Sequence, residues 1–148
     1  MVVVAIIGLL SAILVPKFVD MIIRSKEATV KGQLGAIRGA LNIYYADNEG
    51  FYPDPLDTGL TANGRYLSSF PVISIPSVDA QDNPGHSNAG AFGTTIYNSN
   101  SCPQNPHDFL LGMSWLYGWD GNNFPACYGQ VLVDCSHLDS KGVPWSTY

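Results

Sequence analysis

A short polar segment in the last third of the chain carries the residues best suited to binding an ion. Asp120, Asn122 and Asn123 lie close together, and Asp134 or Asp139 follows further along the chain. Carboxylate and amide oxygens from such loops are the ligands that calcium prefers. A plain β-turn is the alternative, because Asp and Asn are also residues that turns favour. The pattern therefore predicts either a calcium site that includes Asp120, Asn122 and Asp134, or a turn without a ligand.

Three cysteines, Cys102, Cys127 and Cys135, lie in the same part of the chain. In an exported protein two of them would pair, and the third would be a thiol or bridge to another chain. If residues 129–134 form a strand, Cys127 and Cys135 are roughly 26 Å apart, whereas a disulfide needs Cα atoms within about 7 Å. We therefore expect Cys102 to pair with Cys135 or with Cys127. Three reduced, buried thiols are the alternative.

The sequence contains no arrangement of residues typical of a catalytic site. There is no Gly-x-Ser-x-Gly, no phosphate-binding loop, no His-Glu-x-x-His and no Cys-x-x-Cys. His86 and His107 are isolated in polar segments, where solvated histidines are more common than metal ligands. We therefore expect no enzymatic activity and, calcium apart, no cofactor.

Charge is distributed unevenly along the chain, whose 148 residues carry a net charge of −5. Residues 1–50 hold five basic and four acidic residues, a net of +1, whereas residues 51–148 hold two basic and eight acidic residues, a net of −6. So acidic a C-terminal part argues against nonspecific nucleic-acid binding. The charged content of 13% is low for a free cytosolic protein and suits an exported one.

The first fifty residues are predicted to form one helix, from Met1 to about Asn48, that positions everything after it. Residues 1–15 contain no charge, and only Gly8 and Ser11 interrupt their apolar surface. Further along, apolar residues recur at steps of four and three, the spacing of one helix face. These residues are Val30, Leu34, Ile37, Leu41 and Tyr44. The first part requires lipid or a buried bundle, and the second requires one partner surface.

The apolar run itself has three interpretations. Fifteen residues give roughly 22 Å of helix, which is less than the bilayer core of about 30 Å. A secretory signal would need a basic segment before the run and a cleavage site after it, but Pro16 and Lys17 come next and the helical pattern continues. The run is otherwise a buried core helix, or a segment that begins upstream of residue 1.

The order of residues in VVVAIIGLLSAILVPKF resembles the N-terminal helix of type IV pilins and type II secretion pseudopilins. In that family the apolar run ends in Ala-x-x-x-Pro, which residues 12–16 match. The family's leader, cleavage glycine and early glutamate are absent, and Ala5 stands at the corresponding early position. We therefore expect the family's segment to begin upstream of residue 1.

The resemblance implies that the N-terminal helix is the surface through which subunits assemble. Small residues would also allow a neighbouring helix to approach closely. The alternative is that the glycines are merely tolerated where the helix lies under the head. The expected assembly residues are Val4, Ile7, Leu10, Leu14, Pro16, Phe18, Gly35 and Gly39. The expected helix–head packing residues are those of the apolar stripe, Val30 to Tyr44.

Two later segments strengthen the resemblance. Residues 44–53, with an aromatic pair, an acidic residue, glycine and Tyr-Pro, are similar to the helix end of major pseudopilins, and residues 134–148 are similar to the tail of some secretion-G-like pilins. Between them, turn signals make residues 54–108 a long irregular connection, with a short helical turn at 66–71 and a short strand at 72–75. Residues 109–117 and 130–135 are predicted strands of an antiparallel sheet.

Together these features predict an α+β protein with the type IV pilin fold. Residues 1–50 would be the membrane and filament-core helix, and residues 51–148 a globular head. The implied function is that of a pilin, a structural subunit of a homo-oligomeric helical filament. It would reside in the inner membrane before an assembly machinery moves it into an extracellular or periplasmic filament. The alternative is a membrane-anchored binding protein or enzyme that uses the helix only as an anchor.

Overall fold

A single helix makes up the first third of the chain. The computed structural model describes residues 1–78, 97–98, 115–118 and 127–148. Helix α1 spans Val2–Asp47 and contains Pro16 without interruption. The predicted long N-terminal helix is therefore confirmed. Because α1 has 46 residues, it is roughly 70 Å long.

Helix α1 ends where the aromatic and glycine signals predict. The main-chain N–H and the side-chain Nδ2 of Asn48 both donate to the carbonyl of Tyr44, at 2.9 and 2.8 Å. Glu49 and Gly50 then take left-handed backbone conformations, with φ of 54° and 90°. These two residues turn the chain away from the helix axis and start the head.

The segment after this turn differs from the predictions made for it. Helix α2, Leu56–Thr61, continues into a short 3-10 helix at Ala62–Gly64, and neither was predicted. Residues 66–71 form no helical turn, and residues 72–75 contain only one bridge residue, Ile75, rather than a strand. Leu56 and Leu60 are fully buried, so the side-chain packing of α2 accounts for a helix too short to be stable alone.

The described strands form a small mixed sheet of order β1-β2-β3. Strand β1 is Tyr97–Asn98, β2 is Trp115–Tyr117 and β3 is Val131–Val133. Strands β2 and β3 are antiparallel, as predicted, with Trp115 opposite Val133. Strands β1 and β2 are parallel, so the expectation of a purely antiparallel sheet was wrong. Residues 109–114, also predicted as strand, lie outside the described residues.

The core lies between α1 and the sheet. Val30, Leu34, Ile37 and Leu41 on α1 are at most 3% exposed, and Tyr44 is partly buried against the same cluster. Their partners come from α2, the irregular segment after it, the sheet and the chain's last segment. These partners are Leu56, Leu60, Ile73, Ile75, Trp115, Tyr117, Val131, Val133, Cys135 and Trp145. Residues 30–44 of α1 thus contribute to the apolar core of the head.

An aromatic cluster ties the end of α1 to the sheet. The Tyr52 ring lies 4.5 Å from that of Tyr45 and 4.7 Å from that of Tyr128. Gly129 has φ of 78°, and a Cβ at this position would overlap the Tyr52 ring. The Tyr117 hydroxyl donates to the carbonyl of Pro53 at 2.9 Å. A side chain at position 129 would therefore separate the helix end from the sheet.

Candidate functional site

The N-terminal half of α1 forms a largely apolar surface, interrupted by the charged residues Lys17 and Asp20, that has no partner in the described part of the chain. Every large apolar side chain in residues 2–22, which we call the apolar segment, is at least 50% exposed. By length and composition α1 could cross a membrane, and no residue of its most apolar window is buried. Within the described residues this segment is therefore not part of the core of the head. A signal sequence would meet the same criteria, but here the same helix continues into the core of the head.

The expected assembly residues in the apolar segment lie along this exposed surface. Val4, Ile7, Leu10, Leu14 and Phe18 are 50–74% exposed. Pro16 lies inside the helix among them. Since successive residues in this series are three or four positions apart, they share one face of α1. The geometry makes that face available to lipid or to another helix.

The glycines further along α1 also face outwards. Gly35 and Gly39 are exposed, and a Cβ built on either meets no atom within 4 Å. Among the described residues, therefore, no part of the head packs against them, as one of the two interpretations of these glycines would have required. Contact with a neighbouring helix, the other interpretation, stays a prediction.

Polar contacts from α1 hold the chain's C-terminal tail, residues 134–148, against the helix. Glu27 is only 5% exposed. Its Oε1 accepts the main-chain N–H of Ser140 at 2.7 Å, and its Oε2 accepts the Ser140 hydroxyl at 2.6 Å. Both carboxylate oxygens are thus bound to one residue of the tail, which fixes where the tail meets the helix.

One turn further along, Lys31 binds the same tail. Its Nζ donates to Asp139 Oδ2 at 2.7 Å, and the Tyr148 hydroxyl donates to the same oxygen at 2.6 Å. The main-chain N–H groups of Lys141 and Val143 donate to Asp139 Oδ1 at 2.8 and 3.0 Å. The Lys31 ammonium also lies 3.8 Å from the centre of the Tyr148 ring, a cation–π contact.

These contacts determine the ionisation of Asp139. Burial by itself would raise the pKa of this carboxyl group, since a charged form is disfavoured away from water. The hydrogen bonds from Lys31 and Tyr148 and from the main chain at Val143 and Lys141 outweigh burial, so the pKa lies well below its usual range. Asp139 is therefore ionised over the whole physiological pH range.

Arg38 completes the junction between α1 and the head. Its guanidinium donates to the carbonyl of Val131 in β3, at 2.8 Å from Nη2, and to the main-chain oxygen of Tyr148 at 2.7 Å. One side chain thus joins the sheet and the tail to the helix.

Sequence reasoning did not identify Glu27, Lys31 or Arg38 as junction residues. A signal was present, because each lies three or four positions from apolar residues of the buried stripe. A charged residue on the edge of a buried face requires a polar partner. The partners themselves are about one hundred residues away along the chain, and no local pattern shows which residues they are.

Of the cysteines and the calcium candidates, the structure describes Cys127, Cys135 and Asp134. Cys127 is disulfide-bonded, whereas Cys135 is a buried thiol whose Sγ lies 3.5 Å from His137 Nδ1. Of the two alternatives for a disulfide, pairing through Cys135 is therefore contradicted, and Cys102 lies outside the described residues. Asp120 and Asn122 also lie outside them, while Asp134 is 6% exposed. Within the described residues no group of three or more His, Cys, Asp or Glu could hold a metal ion.

A long helix, apolar on all sides and then on one stripe, followed by a small strand region, is a pilin-like α+β layout. Over 74 residues the chain is 36% identical to the fimbrial protein EcpC of Eikenella corrodens. The match covers 49% of this chain and 48% of that protein, so the chain spans about half the length of the curated relative. No family model and no solved structure matches the chain. The similarity supports a pilin-like family.

Proposed function

We propose that the protein is a pilin, a structural subunit that polymerises through its N-terminal helix into a type IV pilus or pseudopilus filament. The observation that carries this proposal is the apolar segment, in which every large apolar side chain from residue 2 to residue 22 is at least 50% exposed. Such a surface is not stable in water, since burial of apolar area contributes about 25 cal/mol per Å². It must be covered by lipid, by other helices, or by each in turn.

The helix has the dimensions for both environments. The 21 residues of the apolar segment, which include Lys17 and Asp20 near the end closer to the head, extend over roughly 32 Å, close to the hydrocarbon thickness of about 30 Å. In the inner membrane, lipid would cover this surface. In the filament, copies of the same segment would cover one another in a central bundle, with the heads outside. The assembly machinery would supply the transfer between the two states.

The rigid connection between α1 and the head supports assembly over simple anchoring. Glu27, Lys31 and Arg38 bind the tail, and the apolar stripe from Val30 to Leu41 forms part of the core. A bundle of apolar segments would therefore hold all heads in one fixed orientation. An anchor needs no such coupling. The similarity to a fimbrial protein over half the chain points the same way.

Replacing the apolar segment by another membrane-spanning sequence distinguishes filament assembly from simple membrane anchoring. Residues 2–22 are replaced by leucine in cells that carry a type IV filament assembly machinery, which keeps a membrane-spanning helix but removes its specific surface. We expect membrane location to be retained and filaments to be lost, as seen by negative-stain electron microscopy and in the sheared surface fraction. The unaltered chain should form filaments in the same cells.

Two results would contradict the proposal. The unaltered chain, expressed with the machinery, could stay in the membrane without forming any filament. Alternatively, the leucine variant could form filaments of normal width, which would show that the apolar segment provides no specific assembly surface.

A further inference from the structure

A pocket lies at the base of the head, where α1 leaves the core. It has a volume of about 340 Å³ and opens between one face of α1 and the tail. Its lining residues are Arg24, Glu27, Ala28, Lys31, Ser140 and Lys141. The Glu27–Ser140 hydrogen bonds form one side of this pocket and hold its two walls together.

The charges that remain available in the pocket are positive. Lys31 is paired with Asp139, and both oxygens of Glu27 are bound to Ser140. The side chains of Arg24 and Lys141 are exposed, and neither forms a hydrogen bond or ion pair within the described residues. Two exposed cations therefore line the pocket, one from the helix and one from the tail, beside a Glu27 carboxylate whose two oxygens accept hydrogen bonds from Ser140.

The position of the pocket relative to the apolar segment indicates which anion these cations would bind. Arg24 follows Ile22 by two residues, which is about 3 Å along the helix axis. Residues 2–22 contain Lys17 and Asp20 close to the end nearer the head. When the uncharged part of this segment lies in the hydrocarbon core, these two residues and, about two turns further along the helix, Arg24 and Lys141 lie on the headgroup side of the boundary. Arginine and lysine at this level attract anionic lipids, and the guanidinium group matches the geometry of a phosphate.

We propose that this pocket binds the phosphate group of an anionic phospholipid, with Arg24 and Lys141 as its ligands. The inference rests on the membrane insertion included in the proposed function. The bound headgroup would hold the base of the head against the membrane surface before assembly. Release of that lipid would then accompany entry of the subunit into the filament.

The test uses the full chain as a monomer in detergent micelles that contain phosphatidylglycerol or phosphatidylcholine, with retained lipid counted by native mass spectrometry. We expect phosphatidylglycerol to be retained in preference. Arg24→Gln and Lys141→Gln should each reduce that retention by about fivefold, the effect of one cation near an anionic surface. Lys26→Gln is the matched control, because Lys26 lines a separate groove with Val72 and Ser74.

Equal retention of the two lipids would show that the protein has no preference for an anionic headgroup, and would overturn the proposal. An equal loss in Lys26→Gln would show diffuse charge attraction rather than a site, and would overturn it as well. Binding of glycerol 3-phosphate as tightly as the lipid would show a site for soluble phosphate instead. Unchanged lipid retention in Arg24→Gln, together with loss of filaments, would identify the pocket as a contact between copies of the chain. Since the lipid measurement uses monomers, failure of the unaltered chain to form filaments bears on the proposed function alone.

Discussion

Lys31 in the first helix and Asp139 in the tail form an ion pair of 2.7 Å across 108 residues of sequence. The Asp139 side chain is fully buried and that of Lys31 is 29% exposed. The pair therefore couples the position of the tail to the part of α1 that follows the apolar segment. Any change in this pair affects how rigidly the head is held on its helix.

A truncated chain of residues 25–148 should fold and remain monomeric, and should form no filaments. The core residues of α1 begin at Val30 and the first tail contact is at Glu27, so the truncation leaves both intact and removes the exposed apolar surface. Light scattering and negative-stain imaging would check this, with circular dichroism as the control for folding. Filaments of normal width from this fragment would contradict the assembly role of the apolar segment.

Asp139→Asn in that fragment should lower the free energy of unfolding by about 2–3 kcal/mol. The substitution removes the charge that pairs with Lys31. The new amide NH₂ can take the position of either carboxylate oxygen. In the position of Oδ2 it cannot accept the hydrogen bonds from Lys31 and Tyr148, and in the position of Oδ1 it cannot accept the hydrogen bonds from the main chain. Urea denaturation measures the difference. Glu49→Gln, at an exposed carboxylate, is the control and should change stability little, whereas an equal loss in both variants would refute a specific role for Asp139.

Asp139 should also give the fragment an acid-dependent stability. Its pKa is lower in the folded state than the ordinary value of 3.8, so the folded state favours the carboxylate. The contribution of Asp139 to the free energy of unfolding is complete above the ordinary pKa of 3.8 and is lost as the pH falls towards the lower pKa of the folded state. Denaturation from neutral pH to about pH 2 should therefore show a steeper loss of stability for the unaltered fragment than for Asp139→Asn. Parallel pH curves would exclude this mechanism.

Gly39→Leu should block filament assembly and leave the head folded. The leucine side chain would extend into open space in the monomer, and replacing glycine favours the helix by up to about 1 kcal/mol. An assembly defect would thus report a neighbouring subunit. Electron microscopy measures filaments, and thermal unfolding of residues 25–148 measures folding. Thr58→Leu, on the exposed side of α2, adds similar bulk away from α1 as a control, and normal filaments from Gly39→Leu would show that the glycine is merely tolerated.

A non-reduced digest should contain Cys127 cross-linked to Cys102, with Cys135 as a thiol that alkylating reagents reach only after unfolding. Cys127 is disulfide-bonded and Cys135 is 0% exposed, and Cys102 is the third cysteine of the sequence. Closing this loop of about 25 residues should stabilise the head by roughly 3–4 kcal/mol. Mass spectrometry identifies the pair, and Cys127→Ser measures its effect on stability. Alkylation of Cys135 in the folded protein would contradict its burial.

Local sequence predicts helix α1, and it also predicts that the first part of the helix requires lipid or a bundle and the second part requires one partner surface. Uncharged residues over fifteen positions and an apolar stripe at helical spacing each depend on residues within one or two turns of each other. Period and composition therefore predict the helix bounds to within one residue of the observed Val2–Asp47. The tail was recognised as a segment by its resemblance alone, without its contacts.

The elements that sequence reasoning missed depend on distant partners. Helix α2 is short and contains Gly59, so its stability comes from burying Leu56 and Leu60 against the core. The parallel pairing of β1 with β2 joins strands that are separated along the chain, and no local pattern specifies such a pairing.

The junction was decided by tertiary structure for the same reason. Glu27 and Lys31, four positions apart on the helix, have the spacing of a surface ion pair with each other. Folding instead brings Ser140 and Asp139 to them, because the tail packs on this face of α1 with its Trp145 and Tyr148 rings next to Lys31. Helical spacing places side chains on a face, but only packing over more than one hundred residues selects the groups that they meet.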